Sequence, residues 1–176
     1  LFVTASFRAD GSSRFINDRW GYFPGVAAGY DFADLIPGFD QFKIRGSYGQ
    51  TGNNNVGNFA ARPRYTGAAR YLNTPGTQPL TLGNVDLRWE TTTTTDLGLD
   101  IALLDSRMAF SIGVYEKTTD DLLLGRPLPV SSGFGSVLQN IGAMRNRGLE
   151  ISALFATVQT QDFSWNTDIN FAYLDN

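Results

Sequence analysis

Asp96–Leu104 reads DLGLDIALL, and its alternation decides the fold. Leu97, Leu99, Ile101 and Leu103 fall on one face of an extended strand, while Asp96, Gly98, Asp100 and Ala102 fall on the other. Strand side chains alternate with a period of two, so the segment has one apolar and one hydrophilic side. Six other stretches repeat the pattern. Leu1–Asp10 sets Leu1, Val3, Ala5 and Phe7 against Thr4, Ser6 and Arg8. Tyr22–Phe32 places Val26, Ala28, Tyr30 and Phe32 opposite Asp31, and Gln41–Gln50 places Phe42, Ile44 and Tyr48 opposite Lys43, Arg45 and Ser47. From Arg107 to Lys117, Met108, Phe110, Ile112 and Val114 oppose Arg107, Ser111, Tyr115 and Lys117. Arg147–Thr157 sets Leu149, Ile151, Ala153 and Phe155 against Glu150 and Ser152. Phe163–Tyr173 alternates Phe163, Trp165, Ile169, Phe171 and Tyr173 with Ser164, Asn166, Asp168 and Asn170.

Strands of about ten residues, apolar on one side and polar on the other, are the mark of a transmembrane β-barrel wall. The connections agree: they run long, short, long, short, long, short, as expected where short periplasmic turns alternate with long extracellular loops. The long connections are Asp10–Gly21, Thr51–Glu90 and about Thr119–Asn146, and one of the short ones is the tight turn Leu104–Arg107. The alternation holds only if Thr51–Glu90 is an excursion with an even number of extra strands. Its middle, Phe59–Leu72, can form strands but lacks clean alternation and contains Pro63.

Charge follows the same division. Arg8, Asp31, Lys43, Arg45, Asp96, Asp100, Glu150 and Asp168 all take the polar face. An Arg or Lys at the lipid midplane costs ~2–4 kcal/mol, so a bilayer enforces this segregation. Glu116 tracks the apolar face, but at a strand's loop end, where the cost falls to ~0–1 kcal/mol.

The 176 residues fit one domain or part of one. A mean hydropathy of −0.17 and no apolar run near the ~20 residues of a spanning helix exclude a helical membrane protein. The net charge of −3 opposes nucleic-acid binding. Neither cysteine nor histidine is present, which removes thiolate chemistry, the commonest general base and the commonest transition-metal ligand. The start at Leu1, inside a strand-like run, reads as a fragment of a longer protein.

The candidate motifs have plain readings. Trp20, Tyr22 and Phe23 are expected at the outer membrane–water interface, where amphipathic rings collect. The glycine run Gly49–Asn58 opens no helix and is not a phosphate loop. Thr91–Thr95 begin a strand, as β-branched residues do. Asp120–Asp121 lack the further spaced oxygen ligands that calcium needs. Arg62, Arg64 and Arg70, among tyrosines, suit an anionic or sugar ligand or simply a solvated loop face. No catalytic, cofactor-binding, metal or substrate residue is assigned, and no cofactor is expected.

The ordered motifs ASFRADGSSRF (Ala5–Phe15), RWGYFPGVAAGY (Arg19–Tyr30) and KIRGSYGQTGNNNVGN (Lys43–Asn58) resemble the SusC/RagA family of TonB-dependent outer-membrane transporters. So do DLRWETTTTTDLGLD (Asp86–Asp100), YEKTTDDLLL (Tyr115–Leu124) and LPVSSGFGSVLQNIGAMRNRGLEI (Leu128–Ile151). The resemblance spans nearly the whole chain, is weakest between Ala60 and Val85, and lies in the C-terminal barrel part of such proteins. The family's plug domain, TonB-contacting segment and signal peptide have no counterpart in residues 1–176. It implies a non-enzymatic importer of nutrient oligomers, glycans or peptides, working with a SusD-like surface lipoprotein and energised through TonB. The expectation is therefore an all-β, antiparallel wall of about seven strands of a larger barrel. It should be open in this fragment, with Leu1–Asp10 and Phe163–Tyr173 as edge strands. A passive porin, a barrel enzyme and a soluble β-sandwich adhesin are the alternatives.

Overall fold

The computed structural model describes residues 1–176, the Tyr71 side chain excepted. Eleven strands follow in chain order: β1 (Phe2–Gly11), β2 (Trp20–Asp31), β3 (Gln41–Asn53), β4 (Arg64–Tyr71), β5 (Thr74–Thr81) and β6 (Glu90–Leu103). The others are β7 (Met108–Asp120), β8 (Leu123–Pro127), β9 (Ser136–Asn140), β10 (Ala143–Gln159) and β11 (Ser164–Asp175). Seven of them make one antiparallel sheet in the order β1-β2-β3-β6-β7-β10-β11, with β1 and β11 at its edges. The sheet is open, and its seven strands are the seven alternating stretches of the sequence. Two hairpins, β4–β5 and β8–β9, stand apart within the second and third long connections. The Thr51–Glu90 excursion therefore contributes two extra strands, and the alternation of connection lengths holds. Among the described residues no helix is long and apolar enough to cross a membrane.

The register keeps the faces consistent across the whole sheet. Leu99 lies opposite Ile44 and Ile112, Ile112 opposite Ile151, and Ile151 opposite Phe171. These apolar rings and branches are not covered by other parts of the chain. Leu97, Val114, Phe171 and Tyr173 are 57%, 46%, 55% and 60% exposed. A continuous apolar face of this extent is stable only against another apolar phase, and in a barrel wall that phase is lipid. The charges expected on the polar face, from Arg8 to Asp168, all occupy the opposite face.

Two corrections concern the long-loop end. Two strands run further than the apolar alternation, β7 reaching Asp120 and β10 beginning at Ala143, while β6 opens with Thr91–Thr95 as expected. The ladder continues because backbone pairing needs no apolar side chain, and threonine suits a strand. In consequence Glu116 is not the sole charge on the apolar face. Arg145, Arg147, Asp120 and Asp175 share it, all beyond the last apolar row, and Arg147 Nε donates to Glu116 Oε2 at 2.5 Å. The second correction is Phe23. Trp20 and Tyr22 lie on the apolar face, 62% and 59% exposed, but Phe23 faces the other way and is 5% exposed. Adjacent strand residues cannot share a face, so Tyr22 outward places Phe23 inward.

At the opposite end the turns are tight and pinned. Leu104, Asp105 and Ser106 all take positive φ, a costly run for non-glycine residues. Asp40 Oδ2 accepts the Ser106 N–H at 2.8 Å, and Arg107 N–H donates to the Leu104 carbonyl at 3.2 Å. Asp31 Oδ1 likewise accepts the N–H groups of Ala33 and Phe42, closing the β2–β3 connection.

Candidate functional site

Two arrangements carry the chemistry of this chain: a charged cluster on the polar face, and a folded layer made by the long loops. The cluster grows directly from the opening motif. Asp96, Gly98 and Asp100 lie on one face of β6, and Gly98 pairs with Arg45 of β3. The Arg45 guanidinium lies across Gly98, where a Cβ would come within 2.5 Å of its Cζ. Only glycine leaves that room. Arg45 Nη1 donates to Asp96 Oδ1 and Nε to Asp100 Oδ2, both at 3.2 Å, and Ser111 Oγ donates to Asp100 Oδ1 at 2.7 Å. DLGLD is thus a carboxylate–gap–carboxylate cradle for an arginine one strand away.

The row continues across the sheet from Arg45 through Gly98 and Gly113 to Glu150. Two successive glycines leave an open trough between a cation and an anion. The adjoining cleft of about 310 Å³ is bordered by Arg45, Ser111, Glu150, Ser152 and Asn170. Lys43 Nζ sits 5.0 Å from the centre of the Phe2 ring on the same face, a cation–π contact. Such a face holds water and hydrogen-bonds polar solutes, and it assembles no nucleophile with a base and an orienting group.

Among the described residues, the buried apolar side chains gather in a cluster that lies mostly outside the sheet. Phe15, Phe23, Val56, Ala61, Leu87 and Trp89 pack together, with Leu123 and Leu138 against them. The cluster takes residues from all three long loops and from β2. Trp89 meets Phe15 and Phe23 with ring centroids 5.5 and 5.7 Å apart, and its Nε1 donates to the Arg19 carbonyl. Phe23 reaches it because β2 and β3 stop pairing beyond Gly25 and Gly49, and its ring fills the space beside Gly52. Polar side chains tie the layer further. Arg14 Nη1 donates to the Asn54 carbonyl and Asn17 Nδ2 to Asp86 Oδ1, both at 3.1 Å. Asn140 accepts from the Arg88 N–H at 3.0 Å and donates to the Arg88 and Asp121 carbonyls, so its amide acts as a strand segment. Glu90 Oε1 accepts the Leu123 N–H at 2.7 Å.

The residues singled out in the sequence have distinct fates. Asp121 accepts from Arg88 Nη2 at 2.7 Å, which holds the Arg88 guanidinium above its ordinary pKa range. Asp120 ends β7 on the apolar face, so the two carboxylates do not converge. No group of three or more His, Cys, Asp or Glu side chains placed to hold a metal occurs among the described residues. Arg62, Arg64 and Arg70 are all exposed on or beside β4. Sequence reading missed the Arg45 cradle and the loop core. The first is detectable as D-x-G-x-D on one strand face with arginine on the next. The second has no local signal, since its members come from segments far apart in the chain.

Comparison with known proteins accords with this geometry. Residues 1–176 match the family model described as TonB dependent receptor-like, beta-barrel. The chain is 39% identical over 180 residues to TonB-dependent receptor P39 of Formosa agariphila, covering 99% of this chain and 17% of that protein. It is 36% identical over 187 residues to TonB-dependent receptor SusC of Bacteroides thetaiotaomicron, covering 98% and 19%. The solved RagAB peptide importer superposes with a TM-score of 0.88 at 31% identity, over 98% of this chain and 20% of that one. The chain thus spans about a fifth of the length of the relatives it matches. Its apolar outer face, polar inner face and alternating connections are those of a wall segment, and the chain belongs to the TonB-dependent receptor β-barrel family of the outer membrane, in its SusC/RagA branch.

Proposed function

We propose that this chain forms part of the barrel of an active importer of nutrient oligomers, glycans or peptides, with the long-loop end outside the cell. In this reading the apolar face seals against lipid, the polar face lines a wet passage, and the loop layer forms one side of the mouth. Import is energised through TonB by parts of the protein beyond residues 1–176, including a plug, and a SusD-like lipoprotein works over the mouth. The chain's role is passage and contact with cargo, without catalysis. The observation that carries the reading is the seven-strand register, which keeps every charged residue off the apolar face over the apolar band. It is supported by the likeness to a protein named as a peptide importer.

The experiment compares uptake of labelled oligosaccharides and oligopeptides by cells carrying the intact protein, with and without TonB. Uptake that stops without TonB is the expected result. Uptake that continues unchanged makes the protein a passive porin.

A further inference from the structure

The charges of this chain are unevenly placed. No aspartate or glutamate occurs from Gly57 to Val85 or from Leu122 to Leu149, although the chain holds 17 of them. These two stretches contain the hairpins β4–β5 and β8–β9. The β4–β5 hairpin carries Arg64 and Arg70, with Arg62 just before it, and the β8–β9 hairpin carries Arg126. Among the described residues none of the four is in an ion pair, whereas Arg8, Arg45, Arg88 and Arg147 each hold a carboxylate. The sheet leans the other way: its polar face carries Asp10, Asp31, Glu90, Asp96, Asp100, Glu150 and Asp168 against Arg8, Lys43, Arg45 and Lys117.

The β4–β5 register adds a shaped surface to this charge. Thr66 pairs with Gln78 and Ala69 with Gly76, so Gly67 and Ala68 together oppose Thr77 alone. This bulge turns the strand over by one residue. Tyr65 and Arg70, five residues apart, would otherwise lie on opposite faces. With the bulge they share one, alongside their partners Pro79 and Pro75. The Tyr65 ring is 67% exposed there, and Arg70 is exposed beside it.

Resting on the importer reading above, we infer that the β4–β5 hairpin is a capture site for an acidic oligosaccharide, one bearing carboxylate or sulfate groups. The Tyr65 ring offers an amphipathic platform for the apolar face of a sugar. The Arg70 fork takes the planar or tetrahedral anion in paired charge-assisted hydrogen bonds, while Arg64, on the opposite face of β4, and Arg62, just before the strand, add to the positive potential around it. A peptide added as an extra strand suits this hairpin less well, because Pro75 and Pro79 each remove an N–H donor from β5. The acid-rich face below repels the same anions, so the hairpin concentrates them at the mouth and the passage does not retain them.

The test uses the intact full-length transporter, purified in detergent, with binding followed by calorimetry at low and high salt. The probes are an oligogalacturonate, and a malto-oligosaccharide and an oligoglutamate of equal length. The wild type should bind the oligogalacturonate best, and high salt should abolish that preference. The triple variant Arg62→Gln, Arg64→Gln, Arg70→Gln should lose roughly tenfold in affinity for the oligogalacturonate. Its affinity for the malto-oligosaccharide should not change. Tyr65→Ala should weaken both saccharides and leave the salt dependence intact. Equal binding of acidic and neutral saccharides, an unaffected triple variant, tighter binding of oligoglutamate, or no binding of any probe would each overturn the inference. The salt arm uses unaltered protein, so a misfolded variant does not blur the result. Purified-protein binding is independent of TonB: loss of the acidic preference removes only the cargo class, and TonB-independent uptake removes only the importer reading.

Discussion

Gly98→Ala places a methyl group where the Arg45 guanidinium now lies. The new Cβ would stand 2.5 Å from Cζ, 2.7 Å from Nε and 2.8 Å from Nη2, so the side chain must swing away from β6. Leaving that position breaks the contacts to Asp96 and Asp100, whose carboxylates are 32% and 24% exposed against 36% for the arginine. At that exposure each ion pair contributes ~0.2–1 kcal/mol, giving a loss of about 1 kcal/mol for the two. Against this, alanine restricts the unfolded chain more than glycine does, a gain of roughly 0.5–1 kcal/mol in a strand. The single variant should therefore be close to neutral or slightly destabilised. In an Arg45→Ala background the obstacle is gone, and the same Gly98→Ala change should stabilise by roughly 0.5–1 kcal/mol. The coupling between the two sites should be about 1 kcal/mol, read from denaturant titration of all four forms of the intact barrel refolded in lipid vesicles. Additivity within ~0.3 kcal/mol would show that Arg45 does not lie over Gly98, and the cradle would have to be abandoned.

Other outcomes follow from the faces and the loop layer. Leu99→Arg puts a charge in the middle apolar row and should cost ~2–4 kcal/mol, whereas Asp100→Asn, on the wetted face, should cost at most about 1 kcal/mol; the opposite ranking in vesicle folding would mean the register is slipped by one. Phe23→Ala opens the loop core and should cost ~3–5 kcal/mol, with Tyr22→Ala milder; limited proteolysis should then cut the loops of the Phe23 variant only, and equal resistance would place Phe23 outside the core. Single cysteines at the exposed positions Ser13, Asn58 and Ser131 of the intact protein should react with an impermeant reagent on whole cells, and one at Ser106 should not. The reverse labelling would invert the topology.

The sheet was readable because the bilayer imposes a rule on every residue it touches. Between Leu97 and Leu103 each position has only two environments, and the residue type reveals which. Where that rule ends, legibility ends with it. Strand ends such as Ala143–Asn146 lie beyond the apolar band and show no alternation, so their extent is set by pairing with Lys117–Asp120. The β4 strand was obscured by its own bulge at Gly67–Ala68, which breaks the period of two. Phe23 was assigned to the interface because it sits in an aromatic run, yet its neighbour Tyr22 already fixed its direction. The Arg45 cradle needs knowledge of which β3 residue lies opposite Gly98, and that register comes from the assembled sheet. The loop core joins Phe15 to Leu138, and no local pattern reports a contact over that distance.

The outward tyrosines carry one more piece of geometry. Val26, Tyr48, Thr95, Glu116, Arg147 and Asp175 form a single hydrogen-bonded row across the sheet. Tyr22 lies four residues above that row on β2, while Tyr173 lies two residues below it on β11, five strand steps away. Rings that mark one membrane surface must lie level with it, so the row itself must slope. Six residues at ~3.4 Å against five steps at ~4.8 Å correspond to strands leaning about 40° from the membrane normal. The inclination of the strands is thus inscribed in where Tyr22 and Tyr173 fall along them.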